Sequence, residues 1–292
     1  MDFAILSRIK KLAMALPHAV DHVVSGGALI TAPPPGASTE LGRLLWTWPR
    51  PLIHPQARLL VIHSQKSAST NVAIWYLRQI GHAQAARDFH YWPHRYLSQV
   101  LNYSEFYRKA YELEFSKFTV VRVVRNPFER AVSSFRHALK HGHVDKEIAK
   151  RLDYHGIADK GLSFSTFIDF LERLDLGSCD PHFSFQRHPV EDKLPVHYLI
   201  NVSSEDLFAR LNEVEAAIGL PRSDMAADPW IKYLRQHNRP EKLMFDDDDL
   251  YTKALTRRQA IHGPWPRYEA FMQPEARERL ARLYALDINA YL

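Results

Sequence analysis

The chain has 292 residues, 46% hydrophobic and 24% charged, with a formal net charge of +5. That balance excludes a disordered or collagen-like chain and allows a core large enough to need no disulfide or metal staple. The modest cationic excess favours an anionic partner: a nucleotide, a sulfated or phosphorylated sugar, nucleic acid or anionic lipid. Cysteine occurs once, at Cys179, so neither an intrachain disulfide nor a four-cysteine zinc site can form. No run of about 18 apolar residues marks a membrane-spanning helix. Pro17, His18 and Asp21 interrupt the first apolar stretch, which argues against a signal peptide. The expected location is the cytoplasm.

In chain order, Ile5, Ile9, Leu12 and Leu16 recur at helical spacing, with Arg8, Lys10 and Lys11 on other faces. The pattern suits a packed helix, or peripheral membrane contact through residues 1–20. Ala32-Pro33-Pro34-Pro35-Gly36 then breaks structure. Residues 1–50 are expected to form a helical extension and linker, and 51–292 a single domain. The run Arg58 to His63 predicts a buried strand, followed by a loop and a helix over 71–80 that Gly81 ends. Lys117 to Val124 predicts a second strand. Pro127 then opens a helix whose apolar face carries Phe128, Val132, Phe135 and Leu139. A helix from Phe164, a strand over 196–202, a helix from 203 to about Gly219 and a C-terminal helix near 280–288 follow. Strands alternating with helices predict an α/β fold with a parallel sheet and functional loops at the strands' carboxyl ends.

Two of those loops suit an anion. Ser64-Gln65-Lys66-Ser67-Ala68-Ser69-Thr70 joins a strand to a helix, where N–H groups and the helix dipole favour negative charge. Lys66 adds a full charge, and the hydroxyls add donors. The loop lacks the glycines of a Walker A motif, and its lysine precedes the hydroxyl cluster, so a nucleoside-triphosphatase loop is a poor match. In the second loop Arg125 ends a strand and Ser133 lies on the next helix. A guanidinium fork and a hydroxyl placed this way can hold one phosphate.

Taken in order, the two loops resemble the sulfotransferase superfamily. Its first loop reads His-x-Pro-Lys-x-Gly-Ser/Thr-Thr/Ser. Here His63, Lys66, Ser69 and Thr70 match, while Gln65 replaces Pro and Ala68 replaces Gly. Its second element reads Arg-Asp/Asn-Pro-hydrophobic-Glu-Arg-hydrophobic-hydrophobic-Ser, which residues 125–133 match almost throughout. The style is that of the carbohydrate sulfotransferases. Asp180 to Gln186 resembles their Asp-x-His-Trp-x-Pro-Gln segment, and Leu283 to Asp287 the closing helix of soluble bacterial members. The resemblance implies a P-loop-like, three-layer fold with a central, mainly parallel sheet flanked by helices.

It also implies sulfuryl transfer from 3′-phosphoadenosine 5′-phosphosulfate to a carbohydrate or glycoconjugate hydroxyl, releasing adenosine 3′,5′-bisphosphate. Lys66, Ser67, Ala68, Ser69, Thr70 and Asn71 are then expected to hold the 5′-phosphosulfate, and Arg125 and Ser133 the 3′-phosphate. Lys66 meets the charge that grows on the leaving oxygen. A sulfuryl group carries less charge than a phosphoryl group, so no metal is expected.

The acceptor hydroxyl needs a general base, and histidine suits neutral pH. The resemblance points to His90 or His94, in a stretch whose aromatics also suit a sugar platform; both could equally be ordinary loop residues. His94 is preferred because it lies nearer the second motif. His182 could bind the acceptor or act as base, and His63 reads as a structural strand end. Arg130 reads as support for the cofactor site or as a helix salt bridge. His90 with His94, and His137 with His141, have the i, i+4 spacing of zinc ligands. No third ligand is identifiable, so solvent-exposed histidines are expected. Asp246 to Asp249 reads as a solvated loop, Cys179 as inert, and Arg257-Arg258 as a closing segment or surface charge. The competing functions are a P-loop small-molecule kinase, which would need ATP and magnesium, and a non-enzymatic nucleotide- or nucleic-acid-binding protein. No nucleic-acid-binding motif is found, so no nucleic-acid partner is expected.

Overall fold

The two apolar, β-branched runs become the middle of a sheet. The computed structural model describes residues 38–238, 250–262 and 265–292. Helix α1 (Glu40–Leu45) leads into strand β1 (Leu52–His54), which pairs antiparallel with β2 (Leu59–His63). Helix α2 (Ser69–Gln79) follows, then α3 (Pro93–Gln99). Strand β3 (Thr119–Val124) pairs parallel with β2, and helix α4 (Pro127–His141) leaves its end. Helix α5 (Phe164–Leu171) precedes strand β4 (Tyr198–Asn201), which lies parallel to β3. Helices α6 (Leu207–Ile218), α7 (Pro274–Leu283) and α8 (Ala285–Tyr291) complete the set that concerns the site.

The strand order is β1-β2-β3-β4, so the sheet is mainly parallel with one antiparallel edge. This is the expected three-layer, P-loop-like fold, with helices flanking the sheet. All five residues of β2 are buried, which accounts for its unbroken apolar run. One core joins β2 and β3 to Val72, Trp75 and Leu77 of α2 and to Leu211 of α6. A second joins Phe135 and Leu139 of α4 to Phe164 and Phe167 of α5 and to Leu280 of α7. Val132, Phe135 and Leu139 are buried, as the periodicity of α4 predicts.

Three details differ from expectation. Helix α1 lies ahead of residue 50, yet Leu45 is fully buried in the first core and its carbonyl accepts from Tyr111 Oη at 3.1 Å. The C-terminal helix is broken at Tyr284, whose buried hydroxyl donates to the Phe183 carbonyl at 2.8 Å. Strand β1 is too short, at 3 residues, to show a period. The helix expected around Ile5–Leu16, the membrane contact through residues 1–20, the Pro33–Pro35 linker and Asp246–Asp249 lie outside the described residues. No described helix is long and apolar enough to cross a membrane.

Candidate active site

Both anion loops sit at the carboxyl ends of neighbouring parallel strands, β2 and β3. In the first, Lys66 (φ 68°) and Ala68 (φ 58°) are left-handed. That conformation costs a residue with a Cβ roughly 1–2 kcal/mol. It also lets neighbouring N–H groups face one concavity. Helix α2 then opens at Ser69, and its first N–H groups have no preceding helix carbonyl to serve. Ser67 is fully buried: its hydroxyl donates to Gln186 Oε1 at 2.8 Å and its N–H to the Ser64 carbonyl at 3.3 Å. Ser69 is also buried, and its hydroxyl donates to Gln65 Oε1 at 3.2 Å. Those two hydroxyls shape the loop. Lys66, Ala68, Thr70 and Asn71 keep partial exposure.

Arg125 links the loops directly. Its Nη1 donates to the Lys66 carbonyl at 3.5 Å, and its Nε to Glu129 Oε2 at 3.1 Å. Ser133 is half-buried on α4, three and seven residues before Arg136 and Lys140, so the three share a helix face. Burial first, then Arg125, Arg136, Lys140 and Arg130, pull the Lys66 ammonium down to about 7. Arg136 and Lys140 do not figure in any motif; α4 brings them close enough for their charges to act on Lys66. A larger surface recess is lined by Asp169, Glu172 and Arg173 among others and includes no residue of either loop.

Two further residues hold the loops together. Gln186 is buried, and its Oε1 accepts from Ser67 Oγ (2.8 Å) and from the Arg125 N–H (2.9 Å), while its Nε2 donates to the Arg125 carbonyl (2.8 Å). Its backbone N–H donates to Asp287, and its carbonyl accepts from Ser64 and from Arg122, itself buried against Glu191. Arg130 is 1% exposed and donates to the carbonyls of Gln65 (3.0 Å), Ser184 (2.7 Å) and Pro181 (3.0 Å). It therefore supports the first loop through carbonyls rather than through a helix salt bridge. Its signal in the sequence is its place, four residues before Ser134, on the buried face of α4.

The histidines divide. His182 Nδ1 lies 2.7 Å from Asp180 Oδ1. Burial lowers its pKa, Asp180 opposes that shift, and Lys66 adds to it. His94 Nε2 is 3.4 Å from Thr70 Oγ1, and burial together with His182 holds it at about 4. Thus His94, His182 and Lys66 share one electrostatic neighbourhood. His90 is spent on its own turn: its Nδ1 accepts from the Trp92 N–H at 2.9 Å, and its ring lies 4.4 Å from Tyr91. His63 is buried at the end of β2 and held neutral at about 3.

His137 corrects the expectation of solvent-facing histidines without a third ligand. It is half-buried and stacks on His182 at 4.0 Å, with His141 at 4.4 Å and His143 at 5.1 Å. Sequence spacing gives no sign of this, because His182 arrives from a separate loop. Arg257 donates to the Leu139 carbonyl at 3.0 Å and pairs with Asp145, so it caps the end of α4. Burial, then Asp180, push the Cys179 thiol up to about 12, which leaves it unreactive. Trp48, Arg50, His63, Gln65, His94 and Ser98 line a small recess beside the first loop, and the rings of Trp48, Tyr91 and Trp92 are exposed.

A model of the sulfotransferase family matches residues 49–292. No curated protein and no solved structure matches the chain.

Proposed function

The chain belongs to the sulfotransferase family, and from that premise we propose that it carries a sulfuryl group from 3′-phosphoadenosine 5′-phosphosulfate to a hydroxyl of a carbohydrate or glycoconjugate. One observation carries the choice of donor. Arg125 of the second loop reaches the Lys66 carbonyl of the first, and burial first, then Arg125, Arg136, Lys140 and Arg130, destabilise the Lys66 ammonium, which a polyanion bound there would offset. A donor with phosphates at both ends of its ribose fits two cationic loops joined by Arg125 and Lys66.

In this reading Lys66, Ala68, Thr70 and Asn71 hold the 5′-phosphosulfate, with Ser67 and Ser69 fixing the loop from behind. Arg125 and Ser133 hold the 3′-phosphate. The donor supplies an activated sulfuryl group and a leaving oxygen that becomes negative. Lys66 stabilises that charge where it develops. The cationic ring does the work that magnesium does in phosphoryl-transfer enzymes, so the transfer needs no metal.

His182 takes the acceptor's proton. Asp180 fixes its Nδ1–H and leaves Nε2 to accept, the arrangement by which a carboxylate orients a catalytic imidazole. His94, held at about 4 by burial and His182, belongs to the acceptor side, near the exposed faces of Trp92 and Trp48. Such faces suit the C–H surface of a sugar. His90 has no part in the reaction. A reduced, unreactive Cys179 accords with a cytoplasmic location.

Calorimetry with adenosine 3′,5′-bisphosphate and with ATP, each with and without magnesium, tests the donor. Tight binding of the bisphosphate, indifferent to magnesium, is expected; a preference for ATP with magnesium would make the chain a kinase. For the base, His182→Ala should lower turnover by about 10²–10⁴-fold with bisphosphate affinity intact, and His94→Ala by less. Equal and small losses would discard a histidine base.

A further inference from the structure

We propose that His137, His143 and His182 form a site for a divalent transition metal such as Zn²⁺, and that filling it silences the enzyme by taking the nitrogen with which His182 accepts the proton. The regulatory half rests on the role of His182 given above; the binding half does not.

One ring nitrogen from each of the three histidines lies within 4.8 Å of the others. Three nitrogens on a tetrahedral zinc, at 2.0–2.1 Å, are about 3.4 Å apart. Closing the cluster therefore takes a shift of about an ångström and a turn of the His137 and His182 rings out of their present stack, at 4.0 Å and 16° between planes, so that both nitrogens point at one ion. The backbone is already arranged for it. His137 lies in the last turns of α4, and Gly142, at φ +62°, ends that helix and turns the chain back. This brings His143 edge-on to His137 at 5.1 Å and to His182 at 5.8 Å.

The chemistry of the donors agrees. Neutral imidazole is the ligating form. Burial first, then His182 and Lys66, hold His137 far below the usual imidazole range. Both ring nitrogens of His143 are shut off from solvent, and Nε2 lies within ion-pair distance of Asp180 without the geometry of a hydrogen bond. Asp180 stands behind two of the ligands: Oδ1 is 2.7 Å from His182 Nδ1, and Oδ2 is 3.4 Å from His143 Nε2. A carboxylate behind a ligating imidazole orients the ring and strengthens it as a donor. It leaves His182 Nε2 for the ion. Asp180 also offsets part of the repulsion from Lys66. Three imidazoles favour zinc, copper, nickel or cobalt over magnesium or calcium. Three protein ligands leave a fourth position open.

The test uses the full chain, stripped with a chelator and titrated with Co²⁺ without donor or acceptor. The expected result is one ion per chain, a visible d–d band of a low-coordinate site, and displacement by Zn²⁺. His143→Ala and, separately, His137→Gln should each weaken Co²⁺ binding at least tenfold; thermal melts confirm that each variant is folded. In chelator His143→Ala should transfer sulfuryl groups at the wild-type rate, and Zn²⁺ should then inhibit the wild type but not the variant. Absence of a saturable band, or unchanged affinity in both variants, overturns the site. Full turnover with zinc bound overturns the regulation. A chain that binds Co²⁺ but never the bisphosphate would refute the sulfotransferase reading and keep the metal site.

Discussion

The two anion loops reach one place by different routes. The first holds Lys66 and Ala68 in left-handed backbone without a glycine, and its cation is half-buried. The second is relaxed. Asn126 caps α4 by accepting from the Phe128 N–H at 2.9 Å, Pro127 occupies the first helical position, and Arg125 has Glu129 as a partner. On the proposed reading, strain and desolvation then fall where charge would change during the reaction, and the ordinary capped helix where charge would only be held. Backbone strain persists at such sites when the surroundings over-determine it, as Gln186 and Arg130 do here.

The sharpest way to break that contrast is to remove each cation. Lys66→Ala should lower turnover by about 10²–10³-fold, the usual cost of losing a donor at a developing oxyanion. Arg125→Ala should instead weaken adenosine 3′,5′-bisphosphate while turnover at saturation changes little, since it binds ground and transition states alike. Steady-state kinetics separate the two, and matching patterns would erase the distinction. Next in size is Gln186→Leu, which cuts the tie between the loops. It orphans Ser67 Oγ and both backbone groups of Arg125. A buried group left unpaired costs about 1–3 kcal/mol, so a loss of about 3 kcal/mol should appear in urea midpoints. A variant as stable as the wild type would show that the loops stand independently.

How much of this could be read beforehand follows from what each feature depends on. Strands β2 and β3 and the helices behind them were legible because local rules write them: apolar runs, Pro127 at a helix start, a glycine at a helix end. The order of Lys66 and Arg125 was legible for the same reason, since both close a strand. Ser67 reads as a ligand by its neighbours, but the loop turns its hydroxyl inward to Gln186. Gln186, Arg130, His143 and the His137–His182 stack depend on segments about 40 to 120 residues apart, such as Ser67 with Gln186 (119) and Ser134 with His182 (48). No local pattern records such meetings. Strand β1 escaped because an edge strand of 3 residues has no periodicity to show.

Acidity probes the same contrast without mutation. Lys66, pulled to about 7, gains a proton when an anion binds beside it, because the bound charge raises its pKa. Bisphosphate affinity should therefore fall as pH rises above about 7, by up to about tenfold per unit, until the raised value in the complex is reached. Below about pH 6 the ligand's own phosphates take up protons, which sets the lower edge of the window. Calorimetry across pH 7–9 should give a slope that survives Arg125→Ala and vanishes in Lys66→Ala. A slope lost in the arginine variant instead would put the titrating cation in the wrong loop.

The smallest effect compares the loops through their backbones. Ala68 stands where the family pattern has glycine, at φ 58°, and its methyl only partly contacts the first core. Ala68→Gly removes a left-handed penalty of about 1 kcal/mol, against which the freer unfolded chain sets about 0.5–1 kcal/mol. The net gain should be a few tenths of a kcal/mol, with turnover retained. Asn126→Ala in the second loop should lose about 1 kcal/mol, because a helix N-cap disappears and no strain is released. Opposite signs in matched urea titrations would establish that one loop is held away from its preferred backbone and the other is not. A loss of stability in Ala68→Gly would mean that the alanine methyl packs well enough to outweigh its strain, and the contrast would then rest on the cations alone.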